Sequence, residues 1–361
     1  MKNLPLVSIL IPTYNQPEYF RQALESALNQ TYPNIEIIVS DDSTDDRVAK
    51  VASEYSDKIQ FYKHKTDKKL AIERSAANVE NLLRLSHGEF VNLLFHDDII
   101  YPEKISRMME YFLRDDSDQI AIVTSRRDAI NDDGSLRDFD EFYIKSKTGD
   151  SFMPSDEIGR MTLMLCVNVI GEFSTVLIRR NDFYRDYVNK FTTTYFLGVH
   201  DQTMGDVPTF LESFKDGRGI VFINEPLSAF RLGTDSQHST DARVRMTLAM
   251  DWISFIAAGY LCDVYLKTFE DFSYACDSWI HRVCDAIFNS TVGTARFNND
   301  IPLDLIDALL QTIESATNHD YKSTLHFVIN WIQKYSSETF DVEKFAVKNQ
   351  QGLWIKRGGY L

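Results

Sequence analysis

The sequence predicts an α/β protein followed by a helical region, and three observations predict it. From Val7 to about Val123, apolar runs of strand length alternate with helical periodicity, the mark of a mostly parallel sheet with covering helices. Three of those runs end in polar clusters, and two of the clusters are acidic. Beyond about residue 240 strand signals become rare and long helical patterns take over. A chain of 361 residues with 44% hydrophobic content can fill a large core and a smaller second one.

The first strand is Val7 to Ile11, rich in β-branched residues. Pro17 then suits a first helical turn, and Phe20, Ala23, Leu24, Ala27 and Leu28 share one helical face. A second strand, Ile35 to Val39, runs into Ser40, Asp41, Asp42, Ser43 and Thr44, with a polar helix from near Asp46. Ile59 to Tyr62 is a third short strand, and Ala77 to Leu85 a helix that Gly88 ends as a C′ glycine. Phe90 to Phe95 is the next strand; it empties into His96, Asp97 and Asp98 before Pro102 opens another helix. The middle of the chain, about 125 to 235, is less regular. It shows a turn at Asn131 to Gly134, an apolar stretch at Met161 to Ile170, and strands at Thr175 to Ile178 and Ile220 to Ile223. This region is expected to complete the same domain, dividing the chain into 1–238 and a helical 239–361. Helical patterns such as Arg243 to Phe269 and Leu303 to Ser315 have apolar faces that predict packing on the first domain, on a second copy in a homodimer, or on a partner protein.

The 38 basic and 53 acidic residues leave a net charge of −15, which argues against a broad grip on nucleic acid or an anionic membrane. The opening MKNLPLVSILIPTYN is interrupted by Pro12, Tyr14 and Asn15 and reads as no signal peptide. Met246 to Leu266, broken by Asp251 and Asp263, is a better amphipathic helix than a membrane span, so the expectation is a soluble, cytoplasmic chain with no transmembrane segment. Cys166, Cys262, Cys276 and Cys284 have neither metal-site spacing nor the density of a disulfide scaffold and read as buried free thiols.

In an open α/β sheet, ligands bind outside the carboxyl ends of the strands, so the polar strand ends are where chemistry is expected. Asp97 and Asp98 are adjacent carboxylates, costly together unless a cation or donors hold them. They invite a hard divalent ion, Mn2+ or Mg2+, which shares its shell with substrate phosphates. Asp98 could instead cap the helix that begins near Pro102. Asp41 and Asp42 end the neighbouring strand, where one carboxylate can accept from a base or ribose and the other cap the next helix. Convergence of PTYN, DDS and HDD on one crevice makes the combination a strong signal.

On the residues VSILIPTYNQPEYFRQALESALNQTYPNIEIIVSDDST and NVENLLRLSHGEFVNLLFHDDIIYPEKI, the chain resembles a family 2 glycosyltransferase of the GT-A fold, a Rossmann-like nucleotide-diphospho-sugar transferase domain. Weaker echoes run through NVIGEFSTVLIRR, HDQT and EPLSAFRLG, to about residue 235; the C-terminal third carries none. The resemblance implies that Pro12, Thr13 and Tyr14 line the nucleotide pocket with the Tyr14 ring against the base, that Asp42 bonds the base edge with Asp41 nearby, and that Arg74 and Asn78 touch the donor. A packing role for Tyr14 and a solvated Arg74 are the plain alternatives. The family's DxD element falls on Phe95, His96 and Asp97, so its first acid is replaced while the metal-binding last acid, Asp97, is kept. His96 would add a ligand or a bond to the sugar. Many relatives complete the metal shell with a His two residues after an Arg; here Arg231 is followed by Leu232 and Gly233, and His238 is the substitute, or an ordinary loop histidine. Arg231 has the fork of donors that suits a diphosphate.

The resemblance further implies attack by an acceptor hydroxyl with inversion. That needs a metal to offset charge on the leaving nucleotide diphosphate and a general base on the opposite side. Asp201 of HDQT matches the family's catalytic acid, although it also sits where a helix over about 202 to 214 would take an N-cap. Glu172, beside Gly171 on the acceptor side, is the reserve base. The implied partners are a nucleotide-diphospho-sugar and a glycan or glycoprotein acceptor at the cell surface; a silent relative acting as a binding or partner subunit is the alternative. A nucleotidyltransferase would need a Gly-rich basic loop after the first strand, and Thr13 to Glu18 contain no Gly, Lys or Arg; no GxGxxG follows any strand, which disfavours a dehydrogenase.

Overall fold

A computed structural model of the chain describes residues 4–67, 71–138, 149–189, 204–232, 242–284, 303–335 and 342–358. They fall into two compact units, the first made of Met1–Ser155, Asn168–Val188 and Asp216–Thr234, the second of Asp156–Val167, Asn189–Lys215 and Asp235–Leu361.

In the first unit, β1 (Val7–Thr13) is buried along its whole length. It pairs in parallel with β2 (Ile35–Asp41) on one side and β4 (Phe90–Leu93) on the other; β3 (Gln60–Lys63) adds to β2, also in parallel. A strand covered on both faces reads as a continuous apolar run, which is why VSILI shows no alternation. Helix α1 (Pro17–Leu28) starts with proline in its first turn and buries Phe20, Ala23, Leu24 and Ala27 against Ile9, Ile11 and Val39 in one core cluster. Full burial of each such large side chain contributes about 1.5–3 kcal/mol. Helices α2 (Arg47–Ser53), α3 (Ala71–Leu85) and α4 (Lys104–Arg114) come after the second, third and fourth strands.

The rest of the sheet is mixed. β9 (Leu177–Arg179) lies antiparallel between β4 and β6 (Ile120–Ile130), β10 (Gly219–Arg231) runs parallel to β6, and β5 (Ile99–Ile100) closes the order antiparallel to β10. β7 (Leu136–Arg137) folds back on β6 through the expected turn, where Gly134 N–H donates to Asn131 O at 2.9 Å with Gly134 at φ 83. β8 (Ser151–Met153) pairs with β10.

The structure corrects several sequence expectations. β10 is far longer than the Ile220 to Ile223 run that announced it, and β6 enters the region read as less regular, because Asn224, Glu225 and Pro226 in one, and Arg126, Arg127 and Asp128 in the other, break the apolar pattern without breaking the strand. Pro226 has no N–H for the ladder, and the β6–β10 register shifts beside it. Gly88 is no C′ glycine. It lies outside the left-handed region, and a Cβ there would meet Ser8 Oγ at 2.5 Å and Ser8 N at 2.6 Å; the glycine is needed because β1 passes so close.

The second unit is helical: α5 (Ser155–Leu165), α7 (Asp206–Ser213), α8 (Ala242–Leu261), α9 (Phe269–Val283), α10 (Leu303–Thr317) and α11 (Tyr321–Tyr335), with α6 (Arg180–Asn189) belonging mainly to the first unit. The single helix expected over 243–269 is two. Asp263 at φ 54 ends the first, and Thr268 caps the second by accepting from Asp271 N–H at 3.0 Å. Trp279 is buried in this unit, its Nε1 donating to Ala249 O at 2.8 Å. A small hairpin, β11 (Ala346–Lys348) with β12 (Trp354–Lys356), adds strand where none was expected. All four cysteines are free; Cys166 and Cys276 are buried, Cys262 and Cys284 half-buried. Among the described residues no helix is long and apolar enough to cross a membrane.

Candidate active site

The carboxyl ends of β1 and β2 are level, Thr13 opposite Asp41, and Asp42 N–H donates to Thr13 O at 3.1 Å. Just past β1 the chain is bent by Asn15, one of few non-glycine residues at positive φ (55°), a conformation Asn tolerates. Asn15 N–H donates to Ser43 Oγ at 2.7 Å, and its Oδ1 accepts from Thr44 N–H at 2.9 Å, so the PTYN and DDST segments are clasped into one rim. Tyr14 stands on this rim, exposed, with the Arg74 guanidinium 5.3 Å from its ring centre. Arg74 also pairs with Asp42, Nε to Oδ2 at 3.5 Å. Burial pushes the Asp42 carboxyl up from the usual range even though Arg74 pulls it down. Tyr14, Arg74 and Asp42 thus form one cluster: a flat ring, a guanidinium and an acceptor.

Asp41 points elsewhere. It is fully buried, held by Lys63 Nζ at 2.9 Å and by Ser43 N–H at 2.9 Å, so it braces the strand end on which Asp42 is presented. Neither aspartate caps α2; its N-cap is Asp46, and Asp45 just before it accepts from Arg47 N–H at 3.0 Å. Asn78 ties α3 to β2 by donating to Ser40 O at 2.9 Å. Its Oδ1, with Thr13 Oγ1 and His64 Nε2, is buried without a hydrogen-bond partner among the described residues. Pro12 is buried within β1. Three unpaired polar atoms around one strand end are unusual, since buried polar groups are nearly always bonded.

One strand over, the chain leaves β4 and turns at His96 and Asp97, closed by Asp98 N–H to Phe95 O at 3.1 Å. His96 is half-buried on the turn. Asp98 turns inward: it is 3% exposed and accepts from Arg231 N–H at 3.2 Å and from the Ser174 hydroxyl. Burial, with Asp97 beside it, pushes its carboxyl up to about 7. Asp98 does not cap α4, which starts behind Glu103. Lys104, fully buried, donates its ammonium to Ser174 O, and burial draws its pKa down to about 7 against the pull of Asp98. Asp97 turns outward. Its carboxylate has no hydrogen bond or ion pair to any described residue, although its main-chain oxygen is held by Arg231 Nε at 2.9 Å.

Ser174 joins this turn to the loop of Gly171 and Glu172, its Oγ accepting from Phe95 N–H at 3.1 Å. Gly171 sits at φ 107, and a Cβ there would clash with Thr175 Oγ1. Glu172 is paired with Arg127, whose guanidinium lies 5.0 Å from the Phe230 ring centre. Arg231, expected at a diphosphate, is 4% exposed and turned to the protein's own carbonyls. Asp201 and His238 lie outside the described residues, as does Gly233.

The structure therefore gathers Tyr14, Arg74 and Asp42 on one rim and presents Asp97 from the turn two strands away; it turns Asp41, Asp98 and Arg231 inward. Sequence reasoning passed over Asn15, Lys63, Lys104, Arg127 and Ser174. Of these only Asn15 carried a local signal, an asparagine directly after a strand. A hard divalent cation fits Asp97, a half-buried carboxylate with no hydrogen-bond or ion-pair partner among the described residues, on a turn that Arg231 pins. Among the described residues no three His, Cys, Asp or Glu side chains gather into a ready-made metal cage.

Residues 8–184 match the family described as Glycosyl transferase family 2. An uncharacterized glycosyltransferase of Rickettsia typhi is 40% identical over 119 residues, 33% of this chain and 35% of that protein. Chondroitin synthase of Escherichia coli is 34% identical over 139 residues, 38% of this chain and 19% of that protein. The chain thus spans about a third or less of these relatives. Among solved structures, S. aureus TarS 1-349 in complex with UDP superposes with a TM-score of 0.55 at 13% identity, covering 98% of this chain and 97% of that one. A longer S. aureus TarS structure gives 0.53 at 14% identity, covering 89% and 54%. At such identities the likeness is one of fold, and it is the GT-A fold followed by helices.

Proposed function

Residues 8–184 belong to glycosyl transferase family 2, and from that premise we propose that the chain moves a sugar from a nucleotide diphosphate onto an acceptor hydroxyl with inversion, in the synthesis of a cell-surface glycan or glycoprotein. The observation that carries this reading is the pairing of the Tyr14–Arg74–Asp42 rim with the outward Asp97 at the carboxyl ends of parallel strands. The Tyr14 ring stacks on the base, and Asp42 accepts from its edge. Thr13 and Asn78 offer the unpaired oxygens Oγ1 and Oδ1 beneath it. Asp97 holds Mn2+ or Mg2+, with His96 beside it; when bound, the cation offsets charge developing on the leaving diphosphate. Asp41 and Asp98 keep their inward roles, and His238 remains a further candidate ligand.

The general base is assigned to Asp201, with Glu172 in reserve. Glu172 stands second because its carboxylate is already paired with Arg127. The catalytic part is assigned to 1–238 and the helical 239–361 to packing, dimerisation or partner binding, in the cytoplasm. The test is release of free nucleotide diphosphate from a panel of UDP- and GDP-sugars with Mn2+. Turnover that falls about 100-fold or more in Asp201→Asn, with nucleotide affinity kept, supports the assignment. An unchanged rate in Asp201→Asn and a comparable fall in Glu172→Gln moves the base to Glu172. No turnover with any donor, together with nucleotide binding, establishes the silent binding subunit that Phe95 in place of the first acid favours.

A further inference from the structure

Arg231 does something other than what its type and position announce. Its guanidinium donates from Nε to Asp97 O at 2.9 Å, from Nη1 to Asn131 O at 2.7 Å and Asp132 O at 3.1 Å, and from Nη2 to Gln22 Oε1 at 2.7 Å. Tyr19 stacks on it, ring centre to guanidinium carbon 4.4 Å, and the Tyr19 hydroxyl donates to Asp132 Oδ1 at 3.1 Å. The Arg231 main-chain N–H meanwhile holds Asp98 Oδ1 at 3.2 Å. One buried residue at the end of β10 therefore ties α1, the β6–β7 turn and both aspartates of the turn after β4. Every hydrogen bond its guanidinium makes goes to a carbonyl or amide oxygen. Burying a charge on neutral acceptors is costly, and a fork aimed at four separate oxygens is difficult for any other side chain to reproduce.

We infer that Arg231 is a positioning residue that sets the direction of the Asp97 carboxylate and with it the affinity for a divalent cation, without touching the diphosphate. The inference rests on the proposed reading of Asp97 as the metal-holding acid. Where Asp97 is the carboxylate that the described residues offer, the ion's geometry depends on how rigidly the turn presents it, and partners one step removed from a metal change its affinity by about 10- to 100-fold. Arg231 is such a partner through the Asp97 carbonyl.

The test uses the full chain, Mn2+ titrated by electron paramagnetic resonance with UDP or GDP present, and metal-free nucleotide affinity by calorimetry. Arg231→Lys reaches one acceptor and loses the fork; it is expected to weaken Mn2+ about 10- to 100-fold while metal-free nucleotide affinity stays the same. Unchanged Mn2+ affinity in a folded variant overturns the inference. So does a fall in metal-free nucleotide affinity, which makes Arg231 a phosphate contact. Should Arg231→Lys fail to fold, Gln22→Leu and Tyr19→Leu each remove one support; a smaller loss of Mn2+ affinity in either sustains the inference and none in both overturns it. A wild type that takes up no Mn2+ with either nucleotide removes the metal-dependent reading itself, and this inference with it, a result distinct from the variant failures.

Discussion

The two edges of the sheet in the first unit differ instructively. At the amino ends of β4, β6 and β10 lies a cavity of about 850 Å3, bordered by Arg179, Arg180 and Arg218 and by Asp118, Asp182 and Asp216. Its charges are largely closed on one another: Arg218 bonds Asp182 at 2.8 Å and Asp216 at 2.5 Å, and Arg179 pairs with Asp118 at 3.0 Å. The carboxyl edge offers groups without a partner among the described residues instead, Thr13 Oγ1, Asn78 Oδ1 and the carboxylate of Asp97, beside an exposed aromatic ring. Volume marks a place where the fold leaves space, whereas unmet hydrogen-bonding capacity marks a place that needs a ligand. Buried polar groups cost free energy until something answers them.

The contrast between the edges breaks most directly at Asp97. Asp97→Asn is expected to cut metal-dependent nucleotide release by about 100-fold or more, the several kcal/mol a metal supplies, with the melting temperature unchanged because the carboxylate has no described partner. Wild-type turnover in this variant places the chemistry elsewhere.

Next in size is the rim. Tyr14→Ala is expected to weaken nucleotide affinity by about 1–3 kcal/mol through lost base stacking; calorimetry reads it, and an unchanged affinity returns Tyr14 to a packing role. A smaller and graded effect comes from pH. The Asp42 carboxyl is raised by burial, so it takes up its proton at higher pH than an exposed aspartate. Only the carboxylate accepts from a base N–H with both oxygens, so nucleotide affinity falls as pH is lowered, beginning above the usual carboxylate range. Asp42→Asn removes that dependence, and an identical pH profile in the variant rules out Asp42 as its source.

At the opposite edge, Arg218→Met removes the nearer of the two cations, Arg218 and Arg185, that pair with Asp182 and Asp216. It is expected to cost about 1–3 kcal/mol of stability in a denaturant titration and to leave kcat and KM alone. A loss of activity in a folded variant gives that edge a functional part.

Most helices and strands before residue 115 come directly from local pattern: VSILIPT, IEIIVSD and FVNL are rich in apolar and β-branched residues, and α1 has both its proline start and its apolar stripe. Prediction failed where burial came from partners distant in the chain. Arg126, Arg127 and Asp128 break the apolar pattern yet lie inside β6, because β10 pairs with them through Pro226, Ser228 and Ala229. Gly88 reads as a helix stop and proves to be a gap that Ser8, 80 residues earlier, requires.

The same division runs through the site. By itself the sequence determined which strand ends carry acids, since run length and periodicity are local properties of the chain. Only the tertiary structure decided which acid of each pair is engaged, because the deciding groups come from elsewhere: Lys63 takes Asp41 and leaves Asp42 to Arg74, while Ser174 and the Arg231 amide take Asp98 and leave the Asp97 carboxylate without a partner among the described residues. Adjacent aspartates are alike as residues, and the hydrogen bonds that separate them form only when segments 22 to 133 residues apart meet.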